Sequence, residues 1–184
     1  MLKDPKELKK TLNGYAKFLV NQSKANLKEE KKVVSGALYN SIRKEVKTGV
    51  GSFDLSIFAK DYAKFIDQGV QGTGSGNKAP NSPYRFGSGT GRKGGLTEGI
   101  EKWIKRRGIK GRDKNTGRFI TQKSLQHLIV RSIWFRGIAP SMFLTKALNQ
   151  VMKYLPDDIL KAYALDLEGQ IYDDIKNQEI NLNG

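Results

Sequence analysis

The sequence predicts an α+β fold, mostly helical with a small antiparallel sheet and a long Gly-rich arm, and three patterns carry the prediction. Apolar residues recur at helical spacing near both ends of the chain. Between residues 43 and 59 the period drops to two, around Gly49 and Gly51. From 69 to 96 glycine and proline are too dense for an uninterrupted helix or central strand. At 184 residues the chain is expected to be a single domain (1–184) able to bury a core, with an extended arm or insertion at about 69–117 and a helical C-terminal extension at about 156–184.

In chain order, Asp4 and Pro5 form an N-cap and N1 pair, and Leu8, Leu12, Tyr15 and Leu19 fall on one face of a helix expected near 5–30. Its other face is a row of lysines, read as solvated. Ser35 caps a short helix that places Leu38 and Ile42 one turn apart. Val46 and Val50, then Phe53, Leu55 and Ile57, alternate with polar residues, as two antiparallel strands joined by a Gly-bearing turn do. Tyr62 to Ile66 make a helical turn ended by Gly69. The glycines and prolines of 69–96 follow, a stretch expected to order against neighbouring subunits. Thr97 is expected to cap the next helix, with Glu98 and Glu101 in its first turns, Ile100, Trp103 and Ile104 on its apolar side, and Gly108 at its end. Leu125, Leu128, Ile129 and Ile133 mark a helix stopped by Gly137. After Pro140 comes an amphipathic helix from Phe143 to Leu155. Pro156 then opens a last one carrying Ile159, Leu160, Tyr163, Leu167, Ile171 and Ile175.

The net charge is +15, and it is not evenly spread. Residues 1–71 hold 14 basic and 8 acidic side chains, 72–124 hold 13 and 3, and 125–184 hold 6 and 7, so the positive field belongs to the middle. Such a field favours an acidic partner without specifying which. With no cysteine there can be no disulfide framework, thiolate zinc site or thiol nucleophile, which suits a protein made in a reducing cytoplasm. No apolar run approaches the roughly 20 residues of a membrane span, and the opening Met-Leu-Lys-Asp-Pro-Lys-Glu lacks the apolar segment of an export signal. No membrane partner is expected.

Catalysis needs convergent groups, and the sequence supplies few. The one histidine, His127, lies between Gln126 and Leu128 in an expected helix, where packing or exposure is the ordinary fate. Carboxylates pair only as Glu29-Glu30, Asp157-Asp158 and Asp173-Asp174, and adjacent helical residues do not face each other. Gly72-Thr73-Gly74 and Gly87-Ser88-Gly89-Thr90-Gly91 lack the strand and helix that make a phosphate-binding loop work. The expectation is no enzyme, no catalytic residues, no cofactor, no metal and no small-molecule substrate.

Arg85, Arg92, Lys93, Lys102, Lys105, Arg106, Arg107, Lys110, Arg112, Lys114 and Arg118 concentrate charge, with Tyr84, Phe86, Trp103 and Phe119 interleaved as possible stacking groups. This makes a free, non-specific nucleic-acid-binding protein using the basic 85–118 region the alternative function. No helix-turn-helix, zinc or ribonucleoprotein signature frames those residues.

Three segments stand in a telling order. They are Ser35-Gly36-Ala37-Leu38-Tyr39-Asn40-Ser41-Ile42, then Asp61-Tyr62-Ala63-Lys64-Phe65-Ile66-Asp67-Gln68-Gly69, and late in the chain Gly137-Ile138-Ala139-Pro140-Ser141-Met142-Phe143-Leu144-Thr145-Lys146-Ala147-Leu148. In this order the chain resembles the minor tail, tail-completion and head-tail connector (neck) proteins of tailed bacteriophages, over roughly residues 5–155. Those proteins carry a TGxLxxSI turn, a YAxxxExGT segment and a late RPFLxPAL segment. Here Asp67-Gln68 precedes the glycine, Val70-Gln71 intervene before Gly72-Thr73, and Ser141-Met142-Phe143-Leu144 replaces Arg-Pro-Phe-Leu. The resemblance implies a virion structural subunit forming an oligomeric ring at the head-tail region, assembled in the host cytoplasm. Its implied partners are itself, other phage portal, neck or tail proteins, and DNA where it passes through a channel. Tyr84, Phe86 and Trp103 are then the expected subunit-interface anchors, and Arg106, Arg107, Lys110 and Arg112 the surface facing the acidic partner or DNA.

Overall fold

A computed structural model describes residues 5–33, 35–49, 52–74, 76–88 and 95–182. Along the chain the elements are α1 (Lys6–Glu29), α2 (Ala37–Ser41), β1 (Arg43–Gly49), β2 (Ser52–Phe58), α3 (Ala63–Gln68), β3 (Val70–Gln71), α4 (Gly95–Arg107), α5 (Gln122–Arg136), β4 (Gly137–Ile138), α6 (Phe143–Met152) and α7 (Leu155–Leu182). The fold is α+β and mostly helical, with two small antiparallel sheets, β1-β2 and β3-β4. These elements gather into two compact units: Met1–Asn26 with Tyr39–Lys60 and Phe143–Gly184, and Leu27–Leu38 with Asp61–Met142.

The first unit is built around α1. Leu8, Leu12, Ala16 and Leu19 recur at i, i+4, i+8 and i+11, so they share one stripe, and each is almost wholly buried. Leu8 and Leu12 cluster with Ala162 of α7, with Val46, Phe53 and Leu55 of the hairpin packed beside them. Leu19 clusters with Ala147 and Val151 of α6, with Tyr15 and Ile57 at the margin. The hairpin pairs Arg43 with Phe58 through Gly49 with Ser52, setting Val46 opposite Leu55. That register puts the alternating apolar residues of both strands on the face that meets α1. Val50, expected in the strand pattern, and Gly51, expected in the turn, lie outside the described residues.

The expected N-cap Asp4 also lies outside them. A cap comes instead from the far end of the chain: the Asp166 carboxylate accepts from the backbone N–H of Glu7 at 2.9 Å and of Leu8 at 2.8 Å. The unsatisfied amides at the start of α1 thus receive a carboxylate, which the helix dipole also favours. Ser35 does accept from Ala37 N–H, at 3.4 Å, and Leu38 and Ile42 are both buried.

In the second unit α4 packs on α5, and the short β3-β4 pair ties the segment after α3 to the segment after α5. Thr121 caps α5, accepting from Ser124 N–H at 3.1 Å. Thr97 does not cap α4: the helix already runs from Gly95, so Thr97 sits in its first turn. The glycine-rich stretch, expected to order against neighbouring subunits, is held at Thr73, Gly74, Lys78 and Phe86 by its own unit. Thr73 N–H donates to Trp134 O at 3.0 Å, Gly74 N–H to Phe135 O at 3.0 Å and Lys78 N–H to Arg136 O at 2.7 Å. These are the carbonyls that the end of α5 leaves unpaired, so the loop acts as that helix's cap. Gly89, Gly91, Arg92, Lys93 and Gly94 lie outside the described residues.

Two glycines let the backbones meet. Gly69 has φ 73° and Gly137 φ 80°, both in the left-handed region. A Cβ on Gly69 would stand 2.8 Å from Pro140 N, and one on Gly137 2.6 Å from Gly72 N.

Candidate interaction surface

The basic segment joining α4 to α5 forms a small hairpin. Arg112 and Phe119 form an antiparallel bridge, Asp113 N–H donates to Arg118 O at 2.8 Å, and Ile120 N–H donates to Gly111 O at 3.0 Å. Asp113 organises the tip. Its Oδ1 accepts from Thr116 N–H at 2.7 Å, the Thr116 hydroxyl at 2.9 Å and Asn115 N–H at 3.0 Å, and Gly117 follows with φ 68°. Those bonds, Thr116 N–H first, favour the charged form and hold the Asp113 carboxyl below the usual carboxylate range. The local signal was present in the sequence: Asp113-Lys114-Asn115-Thr116-Gly117 is a run of turn formers between Arg112 and Phe119.

Between α4, the hairpin and the start of α5 lies an open groove of about 520 Å³. Its apolar lining includes Ile104, Ile109, Ile120 and Leu125, and Lys105 and Lys110 also line it. Phe119 stands at the groove 61 % exposed, with the Arg112 guanidinium stacked 4.4 Å from its ring centre. From 102 to 123 the chain carries nine basic residues against one acidic, Asp113, whose carboxylate is engaged in the turn. Upstream on α4, Glu101 pairs with Lys105 at 2.7 Å, and that ammonium holds its carboxyl below the ordinary range.

Of the expected acidic-partner residues, Lys110 lines this groove and Arg112 supports Phe119. Arg106 is exposed near the end of α4, and Arg107 donates to Val33 O at 3.4 Å. The expected interface anchors are placed differently. Tyr84 packs edge-on against Phe65 at 4.7 Å and Phe86 lies 5.4 Å from Trp134, so both help seat the glycine-rich loop on its own unit. Trp103, half-buried on α4, belongs to neither pair. His127 is exposed on α5, and among the described residues no group of three or more His, Cys, Asp or Glu side chains is placed to hold a metal ion. Among them, too, no helix is long and apolar enough to cross a membrane.

No family model, no curated protein and no solved structure matches the chain.

A second surface escaped the sequence. On α7, Leu155, Ile159 and Ala162 face the core of the first unit, but Leu160, Tyr163, Leu167, Ile171 and Ile175 are exposed, Leu160 at 68 %. At about 100° per residue these five, with Ala164, fall in one stripe about 120° wide, set apart from the buried edge; it is apolar from Leu160 to Ile171, and Asp174 enters it near the far end. Helical spacing alone announces an apolar face; it cannot say whether the chain itself covers that face.

Proposed function

We propose that the chain is a non-enzymatic structural subunit of a tailed-phage virion that forms an oligomeric ring in the head-tail connector, neck or tail, made in the host cytoplasm and built into the particle. The observation that carries this reading is the exposed apolar stripe of α7. A soluble monomer rarely presents a contiguous apolar face of this length, because water penalises it at roughly 25 cal/mol per Å² of apolar surface left uncovered. A subunit that spends its working life packed against neighbours has a use for it.

The segments that carry the resemblance add support. Asp61–Gly69 and Gly137–Ser141 lie far apart in sequence, yet Val70 pairs with Ile138, and Ser141 donates from both N–H (3.0 Å) and Oγ (2.8 Å) to Ile66 O. Met142 N–H donates to Asp67 O at 2.9 Å. Two of the three segments thus form one bonded substructure, which gives their joint presence a physical reason.

Free nucleic-acid binding is the second reading, favoured by the charge excess on α4 and the hairpin. Native mass spectrometry of the purified chain at moderate salt, with and without a short DNA duplex, separates the two. A closed oligomer of defined stoichiometry is the expected result. A monomer or dimer that binds the duplex tightly, with affinity falling steeply as salt rises, overturns the assembly reading.

A further inference from the structure

Two surfaces on this chain are complementary. The groove beside α4 is apolar at its base and basic at its edge, through Lys105 and Lys110, with Arg112 on the neighbouring strand of the hairpin. The α7 helix carries the opposite combination: an exposed apolar stripe on a segment with six acidic and two basic residues between 155 and 177. On the helical wheel Asp157 and Glu168 border one edge of the stripe and Asp174 lies within it, while Lys161, about 20° beyond Glu168, pairs with Asp158 at 3.6 Å and Lys176 lies further round. From Leu160 to Ile175 the stripe runs about 22 Å, a length suited to an amphipathic helix laid in a groove with anchors at one-turn intervals.

We propose that the groove formed by α4, the 112–119 hairpin and α5 is the seat for α7 of a second copy of the chain. This rests on the assembly reading above and names its interface. Leu160, Tyr163, Leu167 and Ile171 enter the apolar lining and cover Phe119, while Asp157 and Glu168 meet the basic edge. Donor and acceptor are different surfaces, so the contact is heterologous: each copy gives one helix and receives one, and the series closes when the rotation between copies divides a full turn. Charge complementarity sets the direction of docking and disfavours α7 against α7, which would set acidic flanks against each other. Nucleic acid fits this groove less well, because a phosphate backbone would satisfy the lysines and leave Ile104, Ile109, Ile120 and Leu125 wet.

The absence of cysteine makes the test clean. Full-length Phe119→Cys and Leu167→Cys chains are prepared separately, both at exposed positions, checked by circular dichroism, then oxidised alone and as an equal mixture. A disulfide-linked dimer is expected only in the mixture, and absent when Lys17→Cys, exposed on α1, replaces Leu167→Cys. Lys110→Glu with Arg112→Glu should lower the cross-linked yield about tenfold, and Asp157→Lys with Glu168→Lys in the partner chain should restore it. Oligomers that form without the mixed cross-link, or that charge reversal leaves intact, overturn this interface while the assembly reading stands. A chain that stays monomeric fails both. Tight duplex binding that Lys110→Glu with Arg112→Glu abolishes, with no mixed cross-link, gives the groove to nucleic acid instead.

Discussion

Asp166 caps a helix far from it in the chain, 158 residues from Leu8: its Oδ2 accepts from Leu8 N–H at 2.8 Å, and its Oδ1 from Glu7 N–H at 2.9 Å. One carboxylate thereby fixes the start of α1 against the middle of α7, alongside the Leu8, Leu12 and Ala162 cluster. Removing a helix cap costs about 1 kcal/mol, up to about 2 where the cap is partly buried. Asp166→Ala should therefore lower the unfolding free energy by that amount, and Asp166→Asn, which keeps a single acceptor oxygen, by less. Urea titration followed by circular dichroism measures both; equal losses would mean that the charge, not the bond, supplies the stabilisation.

Gly137 and Gly76 make a matched pair for testing close approach against backbone strain. Their φ values are 80° and 72°, yet a Cβ on Gly137 would stand 2.6 Å from Gly72 N while one on Gly76 would meet nothing within 4 Å. Gly76→Ala should cost only the left-handed conformation, about 1 kcal/mol. Gly137→Ala adds a backbone collision that only separation of β3 from β4 can relieve, so its total should exceed about 3 kcal/mol. Thermal melts of the two variants decide the matter; similar losses would show that the β3-β4 pair yields easily.

These contacts also show which parts of the fold the sequence could announce. The stripe Leu8, Leu12, Ala16, Leu19, the alternation across β1 and β2, and the stops at Gly69, Gly108 and Gly137 are local patterns, and the elements end where those residues stand. β3 and β4 are two residues each, too short for any period, and their pairing depends on chain segments brought together by α4 and α5. The Asp166 cap is non-local in the same way. At the candidate surface, charge on Lys110 and Arg112 was legible, because charge needs no partner to be counted. The apolar groove they border was not, since it exists only once Ile104 and Leu125, from two helices, face each other across the hairpin. At Tyr84 and Phe86 the sequence was silent on the contacts within the chain: an aromatic that seats a loop and one that meets a neighbour look alike in sequence, and only the fold sets Phe65 and Trp134 beside them.

Ser23 carries a different expectation. It is fully buried on α1, and its hydroxyl has no hydrogen-bond partner among the described residues. A buried hydroxyl left unbonded costs about 1 kcal/mol or more, and alanine is the better helix former by roughly 0.5 kcal/mol. Ser23→Ala should raise stability by about 1 kcal/mol, and Ser23→Val, which adds a methyl group to a packed site and crowds the preceding turn, by less. A loss on Ser23→Ala, seen in the same urea titration, would mean that the hydroxyl bonds something within the folded chain.

Tyr15 donates its hydroxyl proton to Asp158, joining α1 to the first turns of α7. That bond, then burial, then the nearby Asp158 charge, push the Tyr15 hydroxyl up to about 12 from its ordinary 10.0. The folded state thus holds this proton more tightly than the unfolded one does. Its contribution is complete below pH 10 and disappears as pH rises through about 12. The site is close to solvent, so the contribution is about 1 kcal/mol or less. Titrating the phenolate absorbance of the folded chain should show one tyrosine ionising after the others. Tyr15→Phe should remove that last step, and Asp158→Asn should move it down toward 10 by deleting the charge that opposes the phenolate. A late step that survives Tyr15→Phe would assign it to another tyrosine and leave α1 and α7 without this link.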